Sequence, residues 1–134
     1  MKLSDSNLIT SNTEIYSLSV GDLYILENVV VFEGVEGFKS DGKNLGELTQ
    51  IVDYHFGKDK IYGFIANRIN TYSLNVPNVV KIMDTYPNLK VYSAVFYDQI
   101  TKRNLEFEKH FHNVTISLFN DVEKAISWTL KNIG

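Results

Sequence analysis

The sequence predicts a single α/β domain: a mixed β-sheet of about five to six strands, opening with an N-terminal β-meander and continued by βα units whose helices lie mainly on one face. Three observations predict it. Over residues 14–37 the apolar residues alternate or run continuously, the pattern of strands. Beyond residue 44, stripes that recur every three or four residues are interleaved with short apolar runs, the succession that parallel crossovers require. The chain has 134 residues, 44% hydrophobic and 22% charged, an ordinary globular composition at a size where folding buries roughly two-thirds of the surface. No linker, repeat or low-complexity tract interrupts it, so residues 1–134 form one domain, with residues 1–12 read as a flexible N-terminus.

In the meander, Tyr16, Leu18 and Val20 alternate with Ile15, Ser17 and Ser19, and Gly21-Asp22 is a turn signal. Residues 23–26 and 29–34 follow, separated by Glu27-Asn28; a single long strand bent at Asn28 fits the same residues. The run Val29-Val30-Val31-Phe32 has no polar alternate, so this strand is expected to be covered on both faces. Leu45, Leu48, Ile51, Val52, His55 and Phe56 then share one helical stripe. Asn44 and Glu47 have capping-box spacing, and Gly57 stands where a left-handed C-terminal cap is expected. Residues 60–66 form a short apolar strand, and its position after a helix implies a parallel crossover. Pro77 suits the first turn of a second helix through Val79, Val80, Ile82 and Met83, ended by Pro87-Asn88. Residues 89–97 are a strand rich in Val, Tyr and Phe. Residues 99–112 place Leu105, Phe107, Lys109 and Phe111 at spacings that fit either period, and a short helix is assigned there. Residues 114–119 alternate as a last strand. Asn120 and Glu123 repeat the capping spacing before a terminal helix whose Val122, Ala125, Ile126, Thr129, Leu130 and Ile133 face inward.

Cysteine is absent, which excludes disulfides, thiolate nucleophiles and cysteine-ligated zinc. The N-terminus lacks the apolar run of a signal peptide, and no stretch approaches the roughly 20 apolar residues that span a bilayer, so a cytoplasmic protein with no transmembrane segment is expected. A net charge of −3 and a pI near 5.5 argue against nucleic acid as a partner. His110 and His112 flank Phe111 and could share a metal, but two imidazoles are only part of a ligand set, and the expectation is an exposed pair without metal. His55 is expected to offer its ring to the last carbonyls of its helix. No Gly-x-Ser-x-Gly elbow is present, and Gly34, Gly37, Gly42 and Gly46 lack phosphate-loop spacing, so no catalytic group and no cofactor is assigned. Tyr62, Phe64, Tyr92, Phe96 and Tyr97 fall on predicted strands and are read as core.

The strongest positional candidate is the loop at residues 67–73. Asn67, Arg68, Asn70, Tyr72 and Ser73 bring a guanidinium fork, two carboxamides, a phenol and a hydroxyl to the carboxyl end of a strand and the start of a helix. Open α/β sheets place ligand sites there, and helix N-termini favour anions. The same residues also suit a tight turn, in which Asn67 and Asn70 bond the backbone, Tyr72 packs, and Ser73 or Asn75 caps the next helix.

Three phrases carry a resemblance: Gly57-Lys58-Asp59-Lys60 leading into residues 61–67, the loop 67–73, and Phe119-Asn120-Asp121-Val122-Glu123-Lys124-Ala125-Ile126-Ser127-Trp128. Together they resemble the SpoIIAA-like group of STAS-type domains, related in fold to CRAL-TRIO lipid-binding domains, over residues 15–133. The resemblance implies a four- or five-stranded mixed sheet with helices mainly on one side, no enzymatic activity, and a regulatory domain that engages a protein partner through the loop and the helix after it. STAS domains that antagonise anti-sigma factors carry a phosphorylatable Ser in an Asp-Ser-Ser/Thr-Gly phrase at this helix. Here the region reads Asn70-Thr71-Tyr72-Ser73-Leu74, without the Asp or the Gly, and Ser73 and Thr71 are the phosphoacceptor candidates that remain. The alternative is a small-molecule or lipid-binding module of CRAL-TRIO type, with an apolar ligand between sheet and helices. Strand or helix faces could also pair two copies into a homodimer.

Overall fold

A computed structural model describes residues 1–40, 45–70, 72–74, 76–111 and 116–133. Three antiparallel strands come first: β1 (Glu14–Leu18), β2 (Gly21–Leu26) and β3 (Val29–Gly34). The chain turns between β2 and β3 with Glu27 at φ 52°, so these are two strands and not one bent at Asn28. The turn expected at Gly21-Asp22 lies two residues earlier, at Ser19-Val20, because Gly21 already pairs with Leu18 and Gly34.

There follow β4 (Lys39–Ser40), α1 (Gly46–Phe56), β5 (Tyr62–Asn67), β6 (Ser73–Leu74), α2 (Val76–Asp84), β7 (Leu89–Val95), α3 (Gln99–Glu108), β8 (Ile116–Phe119) and α4 (Val122–Ile133). The main sheet has six strands in the order β1-β2-β3-β5-β7-β8, parallel from β3 onward. The α/β class, the meander and the crossovers are those expected from the sequence. The dipeptides β4 and β6 add a small parallel ladder of their own.

Alternation with period two divides the strand side chains between two cores. Val30, Phe32, Tyr62, Ala66, Tyr92 and Ala94 face α1, α2 and α3, whose Leu48, Val52, Phe56, Met83 and Leu105 cover them. Val29, Val31, Ile65 and Val95 face the other way, onto Val122, Ala125, Ile126 and Ile133 of α4 and onto Leu3. Three helices thus lie on one face and one on the other. Every residue of β3 is buried, as its unbroken apolar run requires. At Gly63, in β5, a Cβ would collide with the Thr129 methyl, so glycine is what lets α4 settle on the sheet.

The helix ends refine the sequence reading. Gly57 closes α1 where expected, with a positive φ of 55° and its N–H bonding Asp53 O at 2.8 Å, although its ψ of −138° lies outside the left-handed helical region. Leu45 precedes α1 without a side-chain cap, and the Asn44 of the expected capping box lies outside the described residues. Asp121 takes the capping role expected of Asn120: its Oδ1 accepts from Glu123 N–H at 2.8 Å. Leu130, expected inward, is exposed because it falls at the margin of the stripe that Val122, Ala125, Ile126, Thr129 and Ile133 fill. The first residues are anchored, not a free lead-in: Leu3 is fully buried and its N–H donates to Glu33 Oε2 at 2.7 Å. Among the described residues no helix is long and apolar enough to cross a membrane.

Candidate functional site

The backbone decides how the side chains of residues 67–73 are distributed. Arg68 N–H donates to Val95 O at 3.0 Å, so the pairing of β5 with β7 runs one residue past Asn67 and the alternation holds through Arg68. Asn67 therefore joins the α4 face and Arg68 the face of α1, α2 and α3. Both are buried, so of the two readings of this loop the accessible one does not hold for these two side chains.

Asn67 sits in a polar cluster at the carboxyl ends of the parallel strands. Its Nδ2 donates to Glu33 Oε2 (2.7 Å) and Met1 O (3.0 Å), and its Oδ1 accepts from Tyr97 OH (2.6 Å). Tyr24 OH donates to the other carboxylate oxygen of Glu33 at 3.1 Å. The N-terminal segment thus fills the place where an open sheet would bind a ligand on this face. Burial, then the charge of Glu33, pushes the Tyr24 phenol up to about 12, and the same two causes in the same order push Tyr97 to about 12. A raised folded-state value favours the protonated phenol, so this contribution is complete below the ordinary tyrosine value of about 10 and is lost as pH rises through about 12. Urea unfolding should show stability falling between about pH 10 and 12, and Tyr24→Phe with Tyr97→Phe should flatten that fall. An unchanged slope in the double variant would contradict the assignment.

Arg68 is 5% exposed. Its NH1 donates to Glu108 Oε2 at 3.1 Å and its NH2 to Oε1 at 2.6 Å, a bidentate pair joining the end of β5 to the last turn of α3. Its Cζ lies 5.1 Å from the centre of the Tyr72 ring, and its Nε–H has no acceptor among the described residues. Burial opposes the guanidinium charge, but Tyr72 and Glu108 more than offset it and hold the group above its ordinary value.

Tyr72 stacks on Phe38 at 5.6 Å and meets Phe32 edge-on at 6.5 Å. Gly34 makes that position available, since a Cβ there would stand 2.9 Å from the Tyr72 ring. Burial raises the Tyr72 phenol above its ordinary value, against the opposing charge of Arg68. Asn70 Nδ2 donates to Gly34 O at 3.0 Å, a turn-stabilising role. Ser73 contributes its backbone to β6; its side chain and Thr71 lie outside the described part of the chain.

Tyr72 is a wall shared by two hollows. One is an apolar cavity of about 90 Å³ between the sheet and α1 and α2, where Phe32, Phe38, Leu48, Val52, Met83 and Tyr92 are among lining residues that are all apolar or aromatic except Thr49. The other is a polar hollow of about 140 Å³ bounded by Arg68, Asn70, Tyr72, Asp98, Thr101 and Asn104, with Ile100 at its edge. A groove of about 370 Å³ between α1 and α2 shares Thr49, Ile82 and Tyr86 with the cavity and runs beside Lys81. Tyr86 OH reaches Thr49 O across that groove at 3.4 Å. Burial raises the phenols of Tyr62 and Tyr92 above the ordinary tyrosine value, so both enter the cavity wall neutral.

The sequence reading assigned no role to Glu108 or Glu33, and it placed an apolar ligand between sheet and helices only as an alternative, without naming the residues that line the space. Two signals were present: Glu108 continues the inward stripe of Thr101 and Leu105 on α3, and Glu33 is an acid in a strand with no wet face. Cavity residues Tyr62, Phe64 and Tyr92 are also packed as expected, Tyr62 against Phe56 (4.7 Å) and Phe64 against Tyr92 (5.5 Å). His55 does not cap its own helix; its Nε2 lies 2.8 Å from Tyr16 OH and 3.1 Å from Glu14 Oε2, tying α1 to β1. His110 is exposed, and His112 lies outside the described residues. Among the described residues no group of three or more His, Asp or Glu side chains could hold a metal.

No protein-family profile and no curated protein matches the sequence. The fold is similar to the crystal structure of an uncharacterised protein of the DUF3478 family with a SpoIIAA-like fold, from Shewanella loihica PV-4. The TM-score is 0.58 and the identity 12%, over 90% of this chain and 98% of that one. The likeness is one of fold, and the SpoIIAA-like architecture is the one the sequence resemblance implied, with six strands in place of four or five.

Proposed function

We propose that this SpoIIAA-like domain is a non-enzymatic binding module that holds a small apolar molecule between its sheet and helices α1 and α2. The cavity carries the reading. Protein interiors normally close to crystal-like density, whereas here fifteen side chains leave about 90 Å³ unfilled. Among the described residues that line it, Thr49 and the tyrosine hydroxyls are the only polar side-chain groups, so a highly polar occupant would forfeit its hydrogen bonds on entry. A cavity of about 150 Å³ holds benzene, so this smaller space of about 90 Å³ takes at most one ring, and a long acyl chain would need α1 and α2 to part. The groove between these helices is the natural entrance, spanned by the long Tyr86–Thr49 contact.

A regulatory domain that engages a protein partner is the second reading. Ile100 and Phe107 favour it, since they stand 73% and 64% exposed on α3; the burial of Asn67 and Arg68 weighs against their own side chains making that contact. Native mass spectrometry of gently purified protein separates the two. The cavity reading expects a co-purifying small molecule, lost from Ala66→Leu, which puts three more carbons into the cavity. Its repeated absence from the wild-type protein, or its retention by Ala66→Leu, favours the partner reading.

A further inference from the structure

We infer that the ligand of the cavity carries a neutral oxygen acceptor, such as the carbonyl of an aryl ketone, which takes a hydrogen bond from Arg68 Nε–H in the hollow behind Tyr72. This deepens the cavity reading and rests on it. A space of about 90 Å³ has room for one ring at most, so any further ligand atoms must enter an adjoining hollow. Two adjoin. The groove between α1 and α2 offers Lys81, but that side chain is exposed and its ammonium is served by water, which makes it a poor discriminator. The hollow behind Tyr72 offers Arg68, which is 5% exposed. Two of its five N–H groups are committed to Glu108, and Nε–H has no acceptor among the described residues. A buried donor left unpaired bears its full desolvation penalty, and a ligand oxygen brought to it would remove that penalty. Because Tyr72 lines both spaces, a shift of its ring would join them and uncover Nε–H, which is itself closed to solvent.

The charge balance fixes the chemical class. Glu108 already neutralises Arg68 through two short bonds, and Asp98 stands on the rim of the same hollow. Among the described residues, a carboxylate or phosphate head would meet a site whose one cation is paired and whose other charges are acidic. A carbonyl or ether oxygen brings the acceptor without the charge. Sites built to hydrogen-bond a ligand group discriminate strongly against the analogue that lacks it, so recognition should depend on this one atom.

The test compares toluene, acetophenone and benzoate on the full chain by ligand titration followed in NMR. Acetophenone should bind wild-type protein about tenfold more tightly than toluene, one hydrogen bond's worth, and benzoate more weakly than either. In Arg68→Met/Glu108→Met, which removes the guanidinium without stranding the carboxylate, the ratio of acetophenone to toluene affinity should fall to about twofold or less. Equal binding of toluene and acetophenone to the wild type, tightest binding of benzoate, or a ratio that survives in the double variant would each overturn the acceptor assignment while leaving the cavity reading in place. Failure of all three probes to bind would overturn both. The wild-type comparison stands by itself if the double variant does not fold.

Discussion

Arg68→Met is expected to lower the free energy of unfolding by about 3–5 kcal/mol. Met keeps the apolar stem, so the loss comes from the guanidinium. Without it the Glu108 carboxylate, only 11% of whose side-chain surface is exposed, remains in the interior with no cation beside it. The Tyr72 ring also loses the charge that lies 5.1 Å from its centre. A buried ion pair gains little over an apolar pair, because desolvating both groups cancels most of their attraction; the damage lies in removing one partner alone. Arg68→Met/Glu108→Met should therefore recover most of the loss, to within about 1–2 kcal/mol of the wild type. Urea midpoints at constant m-value measure both effects. A single variant as stable as wild type would mean that the pair does not form in solution.

Asn67→Ala should destabilise the protein by about 2–4 kcal/mol. One carboxamide serves three partners: it donates to Glu33 and to the Met1 carbonyl and accepts from Tyr97. Alanine takes a partner from all three groups: among the described residues the buried Glu33 carboxylate keeps only the Leu3 amide and the Tyr24 hydroxyl, and Tyr97 OH and Met1 O keep only each other, at 3.2 Å. The same substitution loosens the N-terminal segment, since Glu33 also receives the Leu3 amide. Hydrogen exchange at Leu3 should accelerate with the loss of global stability or beyond it. A cost below about 1 kcal/mol would show that the cluster is held by other contacts.

These two residues also mark where the sequence was legible and where it was not. The order of strands and helices followed from period, and Gly57, Pro77 and the terminal helix stripe were readable because each acts through local geometry. Asn67 and Arg68 looked like one polar loop because the strand was expected to stop at Ala66. One further residue of pairing, through Arg68 N–H to Val95 O, sends the two side chains to opposite faces. Glu108 is forty positions from Arg68, and nothing local announces such a pair; its place on the inward stripe of α3 was the one available sign. The β4–β6 ladder pairs two dipeptides too short for any pattern. The alternative reading put an apolar ligand between sheet and helices, but the lining of that space was illegible for a different reason. Aromatic residues on strands read as packing, and whether they pack to closure depends on how α1 and α2 sit above them.

The cavity is also the most direct point of test. Titration of methyl-labelled protein with toluene, followed by NMR, should shift the methyl signals of Leu48, Val52, Ile82, Met83 and Leu89, which line it. Those of Val29, Ile65, Val122 and Ile126, across the sheet against α4, should stay in place. No shift up to the solubility limit of toluene, or shifts centred on the α4 face, would contradict a ligand site between the sheet and α1 and α2.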